Sequence, residues 1–338
     1  MLDQKSPIVT LTPAPTLDRT YFVRNLVEGG VNRAERVGEE LAGKGINVAR
    51  ALHLAGIPAP GIVPIGDADP GVLERTGSEF LTPLWVEGTL RVSTSVIELD
   101  GPTTKINENP RALRDSDWRA VVDLTERVVE EHNSAWLVVA GAHPNNLDTD
   151  EVIDLHPLFR RMAARGVRVA LDTSGAPLRY WARQGNAAIM KPNAEELASC
   201  VGRSLRTVGD VVEAAHEVNA WGVECVLASL GSDGIIAVTK THAIHAFTPP
   251  VKVINTVGAG DSTMAGFLSA VVQNPLAEGD EDFGVGFNVQ LGVAMAVRWG
   301  AAKVQQPTSG LQSIDDLPDA SIDLSPDFSK PLKEPAEV

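Results

Sequence analysis

The sequence predicts an α/β fold in which a doubly wound, mostly parallel sheet is flanked by helices. Two observations carry this prediction. Short, nearly continuous apolar runs are typical of strands buried on both faces, and they alternate with longer segments of helical periodicity. Strands and helices that alternate in this way favour parallel β-α-β units. The predicted buried strands are Ile8–Leu11, Trp136–Ala140, Val167–Leu171, Ala188–Met190 and Val223–Leu230.

Helical patterns fill the gaps between several of these strands. They cover Asp117–His132, Thr149–Arg165 and Thr207–Trp221. After the last buried run, Ile235–Val238 and Ala243–Phe247 follow through short turns. We therefore expect the sheet to finish with antiparallel strands.

Two segments interrupt this rhythm with alternating polar and apolar residues. Residues 20–40 and 89–107 each have the pattern of strands with one exposed face. We interpret them as a small β-sheet lid laid over the strand ends of an α/β core. The tail, residues 313–338, is rich in Asp, Pro and Ser, which predicts little order. The predicted core segments are 1–19, 41–88 and 108–312.

Composition limits the function. The chain has 338 residues, a formal net charge of −15 and no long basic run, which argues against nucleic acid or an anionic membrane as a partner. An anionic small substrate then requires a few well-placed cations. Cys200 and Cys225 are too few for a disulfide framework and fit inert buried thiols. We find no signal peptide and no run of roughly 18 apolar residues, so we expect a cytoplasmic enzyme.

Two common site motifs are nearly matched but fail, and a third is absent. Residues 38–45, GEELAGKG, resemble a Walker A loop, yet Gly45 stands where a serine or threonine would bind magnesium. A dinucleotide fingerprint fails because Thr263 occupies the third glycine position after Gly258 and Gly260. The seven histidines never show HxxxH or HxH spacing, which argues against metal-dependent hydrolysis.

The stretch VINTVGAGDSTMAGF, residues 253–267, holds the strongest chemical signal. Gly258 and Gly260 lead into a helical pattern over residues 262–272. The unpaired N–H groups of a helix N-terminus favour anions, and glycines let the backbone approach a ligand closely. Asp261 lies at the cap or in the first turn, where the helix dipole keeps a carboxylate ionised. It is either a plain N-cap residue or a proton acceptor in phosphoryl transfer.

Five motifs, in order, resemble those of the ribokinase-like sugar kinases of the phosphofructokinase-B type, from Thr10 to about Gly300. The most similar subgroup comprises the 1-phosphofructokinases, tagatose-6-phosphate kinases and minor 6-phosphofructokinases. The resemblance implies a ribokinase-like fold, a lid that often forms a dimer interface, and the use of ATP and magnesium. The motifs are LTPAPTLDRT (11–20), AGKGINVAR (42–50), KPNAEEL (191–197), ASLGSDG (228–234) and NTVGAGDSTMAGF (255–267).

The resemblance also implies roles around the nucleotide. Asp261 would be the catalytic base, beside an anion hole for the transferring phosphoryl group. Asn193 and Glu196, three residues apart and so on one face of a predicted helix, would hold magnesium through water. Asp172 would support this network, and adenine would pack against Val289–Ala296. The anion hole is Gly258, Ala259 and Gly260, and the residues implied at ATP are Lys191, Asn193, Ser229, Gly231, Gly234, Thr256, Gly258 and Gly260.

A second set of residues is implied at the sugar. Arg91, on a predicted lid strand, would clamp a substrate phosphate through bidentate hydrogen bonds, which favours a phosphorylated sugar. Plainer readings remain open: Asp18 as a turn residue, Asn47 as a helix-start residue, and the cations as surface charges without partners. The full set is Asp18, Gly43, Lys44, Asn47, Arg91, Arg33 and Lys105.

One segment departs from the family pattern. In VAGAHPNN, residues 139–146, Ala142 replaces the usual serine, so a hydroxyl that could bind the substrate phosphate is missing. The neighbouring His143 is more typical of a structural residue. We predict an ATP- and magnesium-dependent phosphosugar kinase that acts on fructose 1-phosphate, with tagatose 6-phosphate and fructose 6-phosphate as alternatives. An inactive sugar-phosphate-binding regulator is the alternative of a different class, and the presence of Asp261 argues against it.

Overall fold

The computed structural model describes residues 6–99, 101–281 and 283–338. Residues 1–5 and 282 of the predicted core and residue 100 of the predicted lid lie outside the described residues. The strands are β1 (Ile8–Leu11), β2 (Thr16–Val23), β3 (Arg36–Ala42), β4 (Gly61–Gly66), β5 (Leu81–Val86), β6 (Val92–Glu98), β7 (Thr103–Asn107), β8 (Trp136–Ala140), β9 (Arg168–Asp172), β10 (Ile189–Met190), β11 (Leu205–Thr207), β12 (Cys225–Ser229), β13 (Ile235–Thr239), β14 (Ala243–Phe247), β15 (Ser321–Asp323) and β16 (Pro331–Ala336). The helices are α1 (Lys44–Leu54), α2 (Val72–Arg75), α3 (Asp115–His132), α4 (His156–Ala164), α5 (Gly175–Gln184), α6 (Ala194–Val201), α7 (Val208–Ala220), α8 (Ala259–Gln273) and α9 (Val289–Val304).

The main sheet is mostly parallel. Its strand order within the described residues is β15-β14-β13-β12-β10-β9-β8-β1-β4-β5. Neighbours from β5 to β12 pair in parallel, and those from β12 to β15 pair antiparallel. The predicted fold class and the antiparallel finish are confirmed. The chain order reverses at β1, whose neighbours are β4 and β8, and such a switch point opens a crevice at the carboxyl ends of the strands.

Helices cover both faces of this sheet. Along β1, Val9 and Leu11 belong to the core shared with α3, α4, α5, α6 and α7, whereas Ile8 belongs to the core shared with α1, α8 and α9. Successive residues of a strand point to opposite faces, so a strand buried in both cores must be apolar throughout. This is the reason for the continuous apolar runs in the sequence.

A separate small sheet has the order β3-β2-β6-β7. Here β2 pairs antiparallel with β3 and parallel with β6, and β6 pairs antiparallel with β7. Its strands reach from Thr16 to Ala42 in the first insertion, beyond the predicted bounds of 20 and 40. The added residues carry the chain from the end of β1 and back to the start of α1, so the small sheet joins the core at the switch point.

Two predictions for single segments are wrong. A helix was predicted over Thr149–Arg165, but only the part that forms α4, His156–Ala164, is helical. Asp150 has a positive φ of 58°, and Pro157 lies in the first turn of α4, where proline starts a helix well. The tail predicted to have little order instead forms β15, which pairs with β14, and β16, which pairs with β11. Leu332 and Ala336 of this tail are buried.

Two further features are the character of the helices and the state of the two cysteines. Among the described helices, none has both the length and the apolar character needed to cross a bilayer. Cys200 and Cys225 are unpaired and buried, and burial raises the pKa of the Cys200 thiol to about 11 and that of Cys225 to about 12. Both thiols are therefore protonated at neutral pH, as expected for inert core residues.

Candidate active site

The N-terminus of α8 presents free backbone donors. Gly258 precedes the helix with a φ of 78°, and a Cβ there would collide with the Ser309 carbonyl oxygen, so the position requires glycine. The Ala259 N–H donates to a carbonyl of the preceding turn at 3.2 Å. Within the described residues, the N–H groups of Gly260 and Asp261 have no acceptor. Two adjacent donors are thus available to an anion, and Ala259 contributes no free N–H to the predicted hole.

Asp261 lies in the first turn of α8 with only 5% of its surface exposed. Its Oδ2 accepts a hydrogen bond of 2.7 Å from the Asn47 side chain. Burial raises the pKa of Asp261 to about 6, with a further contribution from the charge of Asp172, against the opposing effects of Lys44, Asn47 and Lys191. Burial is thus the main cause of this pKa shift, and the sequence pattern did not indicate it. The carboxylate is mostly ionised at neutral pH and basic enough to accept a proton.

Asp172 at the end of β9 organises two lysines. It is fully buried, and its Oδ1 accepts a hydrogen bond of 2.7 Å from the Lys44 ammonium. The Lys191 ammonium lies 3.2 Å from Oδ2, as an ion pair without hydrogen-bond alignment. Burial alone would raise the pKa of Asp172, but Lys191 and Lys44 outweigh it and hold the pKa below its ordinary value. Lys44, predicted to meet the sugar, therefore has a partner in the protein.

Two lysines lie directly against the glycine turn. The Lys191 ammonium is 2.9 Å from the position that a Cβ would take at Gly260, so glycine leaves room for a cation beside the anion hole. On the other side, the fully buried Lys303 donates to the Asn255 carbonyl at 3.1 Å. Burial lowers the pKa of Lys303, opposed by the charge of Asp261. Lys303 could not be predicted as a site residue, because a single lysine in an apolar helix pattern matches no motif.

Asn193 and Glu196 form a reciprocal cap at the start of α6. The Glu196 N–H donates to Asn193 Oδ1 at 2.7 Å, and the Asn193 N–H donates to Glu196 Oε2 at 2.9 Å. Asn193 is therefore the N-cap, not a residue inside the helix as predicted. Glu196 keeps one carboxylate oxygen free of this cap and contributes to the field at Lys44. Within the described residues no group of three or more acidic, histidine or cysteine side chains could enclose a metal.

A cleft of about 740 Å³ extends from the start of α8. It contains most of the residues predicted to meet ATP. Lys191 and Gly258 lie outside its lining. The predicted residues that line it are Asn193, Ser229, Gly231, Gly234, Thr256 and Gly260.

The apolar wall of this cleft differs from the one predicted. Val297, Gly300 and Val304 of α9 line it, whereas the predicted segment Val289–Ala296 does not. Gly292 of that segment instead faces the Phe267 ring, where a Cβ would come within 2.8 Å of a ring carbon. The small residues of the segment Val289–Ala296 allow α8 and α9 to pack closely. Small residues one to two turns later in α9, such as Gly300, leave the cleft open.

On the sugar side, Asp18 stands on β2 between Glu40 of β3 and Ser93 of β6. Burial and the charge of Glu40 raise the pKa of Asp18 to about 6, opposed by Arg91 and Lys105. The small sheet thus gathers two predicted cations around a carboxylate that can accept hydrogen bonds from hydroxyl groups.

Arg91 has protein partners that the sequence did not indicate. Its three guanidinium nitrogens donate to the carbonyl oxygens of Ala14 at 2.9 Å, Pro15 at 3.2 Å and Glu108 at 3.2 Å. Burial is the main cause that lowers the pKa of Arg91. A guanidinium has five N–H donors, so two remain for a ligand. Arg91 therefore ties β6 to the turn before β2, whatever else it binds.

The other predicted sugar residues fall into two groups. Gly43 is the N-cap of α1 with a φ of 146°, and a Cβ there would lie 2.5 Å from a Thr12 methyl group, so the position requires glycine. Lys105 is exposed on β7. Arg33 lies in the exposed loop before β3, and no hydrogen bond or ion pair joins it to the described residues. No contact brings Arg33 to the site.

The loop after β8 carries the departure from the family pattern. Ala142 is half-buried and His143 is buried with neither ring nitrogen hydrogen-bonded to the described residues. Burial lowers the pKa of His143 to about 4, so the ring is neutral at physiological pH. It supplies no cation to replace the missing serine hydroxyl.

Comparison with known proteins bears directly on this arrangement. The family model described as pfkB family carbohydrate kinase matches residues 13–315. A 1-phosphofructokinase of Haloferax volcanii is 35% identical over 78% of this chain and 83% of its own length. The ATP-dependent 6-phosphofructokinase isozyme 2 of Escherichia coli is 32% identical over 82% of this chain and 90% of its own length.

Solved structures show the same architecture. The crystal structure of phosphofructokinase-2 from Escherichia coli in complex with potassium superposes with a TM-score of 0.77 at 28% identity, covering 92% of this chain and 96% of that chain.

Proposed function

The chain belongs to the pfkB family of carbohydrate kinases, and from this premise we propose that it transfers the γ-phosphoryl group of ATP to a hydroxyl of a ketohexose phosphate. Fructose 1-phosphate is the first candidate substrate, and its product would be fructose 1,6-bisphosphate. The similar 1-phosphofructokinase and the resemblance of AGKGINVAR to that subgroup support this choice.

One observation carries the proposal. A buried carboxylate with a raised pKa, Asp261, shares the first turn of α8 with two free N–H donors. Two lysines held by Asp172 lie beside it. This arrangement places a proton acceptor beside backbone N–H donors and two ammonium groups, and phosphoryl transfer requires little more than positioning and charge stabilisation.

The proposed reaction balances on these residues. The Asp261 carboxylate takes the proton of the attacking hydroxyl, and the oxygen forms a bond to the γ-phosphorus. The bond from phosphorus to the β–γ bridging oxygen breaks, and ADP leaves with that electron pair. The N–H groups of Gly260 and Asp261, together with the ammonium of Lys191, stabilise the negative charge that spreads over the transferring group.

Magnesium fits the donors that are present only through water. The free Glu196 oxygen could accept a hydrogen bond from metal-bound water, and the phosphates of ATP would provide direct oxygen ligands. Bound there, magnesium would neutralise charge on the β- and γ-phosphates. Asn193 and Glu196 would orient the metal-bound water from the cap of α6.

Fructose 6-phosphate is the second candidate substrate, favoured by the similar Escherichia coli 6-phosphofructokinase isozyme 2. Tagatose 6-phosphate follows on the motif resemblance alone. Asp18 would bind the sugar hydroxyls, and the two free donors of Arg91 and the ammonium of Lys105 would bind the substrate phosphate. Ala142 and the neutral His143 leave this phosphate with fewer polar partners than a serine would give.

The experiment that tests the function is a panel assay. ADP release from MgATP would be measured with fructose 1-phosphate, fructose 6-phosphate, tagatose 6-phosphate and fructose, each over a full concentration range. We expect the highest kcat/KM for fructose 1-phosphate and the lowest for fructose. Preference for fructose, or no turnover of any phosphosugar, would overturn the proposal.

We also propose that the small sheet acts as a lid over the sugar and as the interface of a homodimer. Its loop and strands expose Val31 at 84%, Val37 at 50% and Ile106 at 64%, which is unusual for a free surface of a soluble protein. The reaction would take place in the cytoplasm, where ATP and sugar phosphates are held.

A further inference from the structure

The C-terminal tail lines the proposed nucleotide cleft. The family model ends at residue 315, so residues 321–336, which we name the strap, lie beyond it. Its strands β15 and β16 nevertheless pair with β14 and β11. Lys330, Lys333 and Glu334 of the strap line the same cleft as Gly231 and Thr256. This wall of the cleft therefore lies outside the residues that the family model matches.

The strap is fixed to the turn between β12 and β13. The Lys333 N–H donates to Asp233 Oδ2 at 2.7 Å, and its ammonium donates to the Ser232 carbonyl at 2.9 Å. Asp233 is only 3% exposed, so a buried carboxylate holds the strap backbone. Leu332 and Ala336 anchor the same strand in the core. The strap is thus built into the fold at this turn.

The residues along the cleft wall can be followed from the start of α8 to the strap. Gly260 lies against Lys191, and after one intervening residue Asn193 bridges to Ser229 of β12. The turn that follows Ser229 begins at Gly231, and the Glu334 carboxylate reaches within 3.1 Å of the position that a Cβ would take there. A nucleotide whose γ-phosphate lies at Gly260 and extends along this wall brings its ribose toward Glu334.

Glu334 is available to a ligand. Neither oxygen of its carboxylate has a hydrogen bond or ion pair with the residues that the structure describes. A carboxylate is an acceptor only, and two neighbouring hydroxyls of a ribose are suitable donors. Gly231, with a φ of 56°, leaves the space beside this carboxylate open.

We propose that the strap forms the nucleoside end of the ATP site and that Glu334 accepts hydrogen bonds from the ribose hydroxyls. This proposal rests on the proposed function, because it takes ATP as the nucleotide and places its γ-phosphate at the start of α8. The strap then determines nucleotide affinity and discriminates ribose from deoxyribose, and it leaves the chemical step to Asp261.

Direct binding tests this assignment without any sugar. Calorimetry would compare MgATP with its 2′-deoxy and 3′-deoxy analogues, on the wild type and on Glu334→Ala. We expect the wild type to bind at least one deoxy analogue roughly five- to fifty-fold more weakly than ATP. Glu334→Ala should lose a similar factor for ATP and show no further loss for that analogue. Its side chain is exposed, so folding should be unaffected.

Glu337→Ala is the matched control. This exposed carboxylate of the same tail bonds to Ser204 and Arg206 and does not line the cleft, so ATP affinity should stay unchanged. If the wild type does not bind MgATP, the proposed function itself fails. If the wild type binds ATP, but Glu334→Ala binds it equally well or keeps the discrimination against the deoxy analogue, the role of Glu334 is wrong and the kinase proposal stands.

Discussion

The ionised carboxylate of Asp261 lowers the stability of the folded protein, because it is buried. Burial raises its pKa from 3.8 to about 6, so the folded protein holds a proton there more tightly than the unfolded chain. The ionised carboxylate therefore costs stability above about pH 6, and this cost disappears toward pH 4. Asparagine does not ionise and still accepts the hydrogen bond from Asn47.

Asp261→Asn should consequently stabilise the protein at pH 7 by roughly 1–3 kcal/mol, and the difference from wild type should shrink as the pH falls toward 4. Chemical denaturation of both proteins at several pH values measures this. A variant that is equally or less stable at pH 7 would show that the carboxylate is not held at an energetic cost.

Arg91 combines a structural role with a proposed role in phosphate binding. If its two free donors hold the substrate phosphate, Arg91→Ala should lower kcat/KM for fructose 1-phosphate roughly ten- to a hundred-fold, mainly through the sugar KM. Turnover of fructose should fall much less. Arg111→Ala is the control, because Arg111 also donates to backbone carbonyls where the chain enters the lid, those of Glu87 and Thr89. Equal losses on both sugars would leave Arg91 with the structural role alone.

Individual site residues were predictable where a motif surrounds them and not otherwise. Asp261, Asn47 and Lys191 were selected from glycine-rich or Asn-x-x-Glu motifs, and the structure brings them together. The bond between Lys44 and Asp172 joins residues 128 positions apart, so local patterns cannot reveal it. The carbonyl partners of Arg91 were equally hidden, because backbone acceptors leave no trace in the sequence.

Among the secondary-structure elements, the cap of α6 has both a structural role and a proposed role in metal binding, and a substitution at Glu196 distinguishes the two. Glutamine preserves a capping box, so Glu196→Gln should leave stability nearly unchanged. It removes a charged ligand for metal-bound water, and the magnesium concentration for half-maximal rate should rise several-fold. Magnesium titrations of the variant and of the neighbouring Glu195→Gln control measure this. Coincident titrations for Glu196→Gln and wild type would reduce Glu196 to a capping residue.

Elements were predictable where burial alone fixes them. β1 and β8 were predicted to the residue because apolar runs between two helix layers have no alternative. The periodicity predicts a helix start at Thr149, which is wrong because it takes no account of Pro157, a residue of the first turn of α4. The strap was not predicted because the composition of the tail is mostly polar. The few apolar residues that anchor it, such as Leu332 and Ala336, have little weight in that composition.

For the whole molecule, the exposed apolar face of the small sheet predicts self-association. A double variant, Val37→Glu with Ile106→Glu, should shift the protein from dimer to monomer in light scattering after gel filtration. Leu147→Glu is the control, since Leu147 is 59% exposed outside this sheet and should have no effect. A wild type that is monomeric at micromolar concentration would reject the lid interface.

The proposed role of Asp261 as the base of a phosphosugar kinase makes a clear prediction for the kcat of Asp261→Asn. With saturating MgATP and fructose 1-phosphate, kcat should fall by ~10²–10⁴, the range for loss of a positioned proton acceptor. Affinity for MgATP should change little, because the N–H donors of α8 and the cleft remain. A folded variant with kcat close to wild type would contradict the claim.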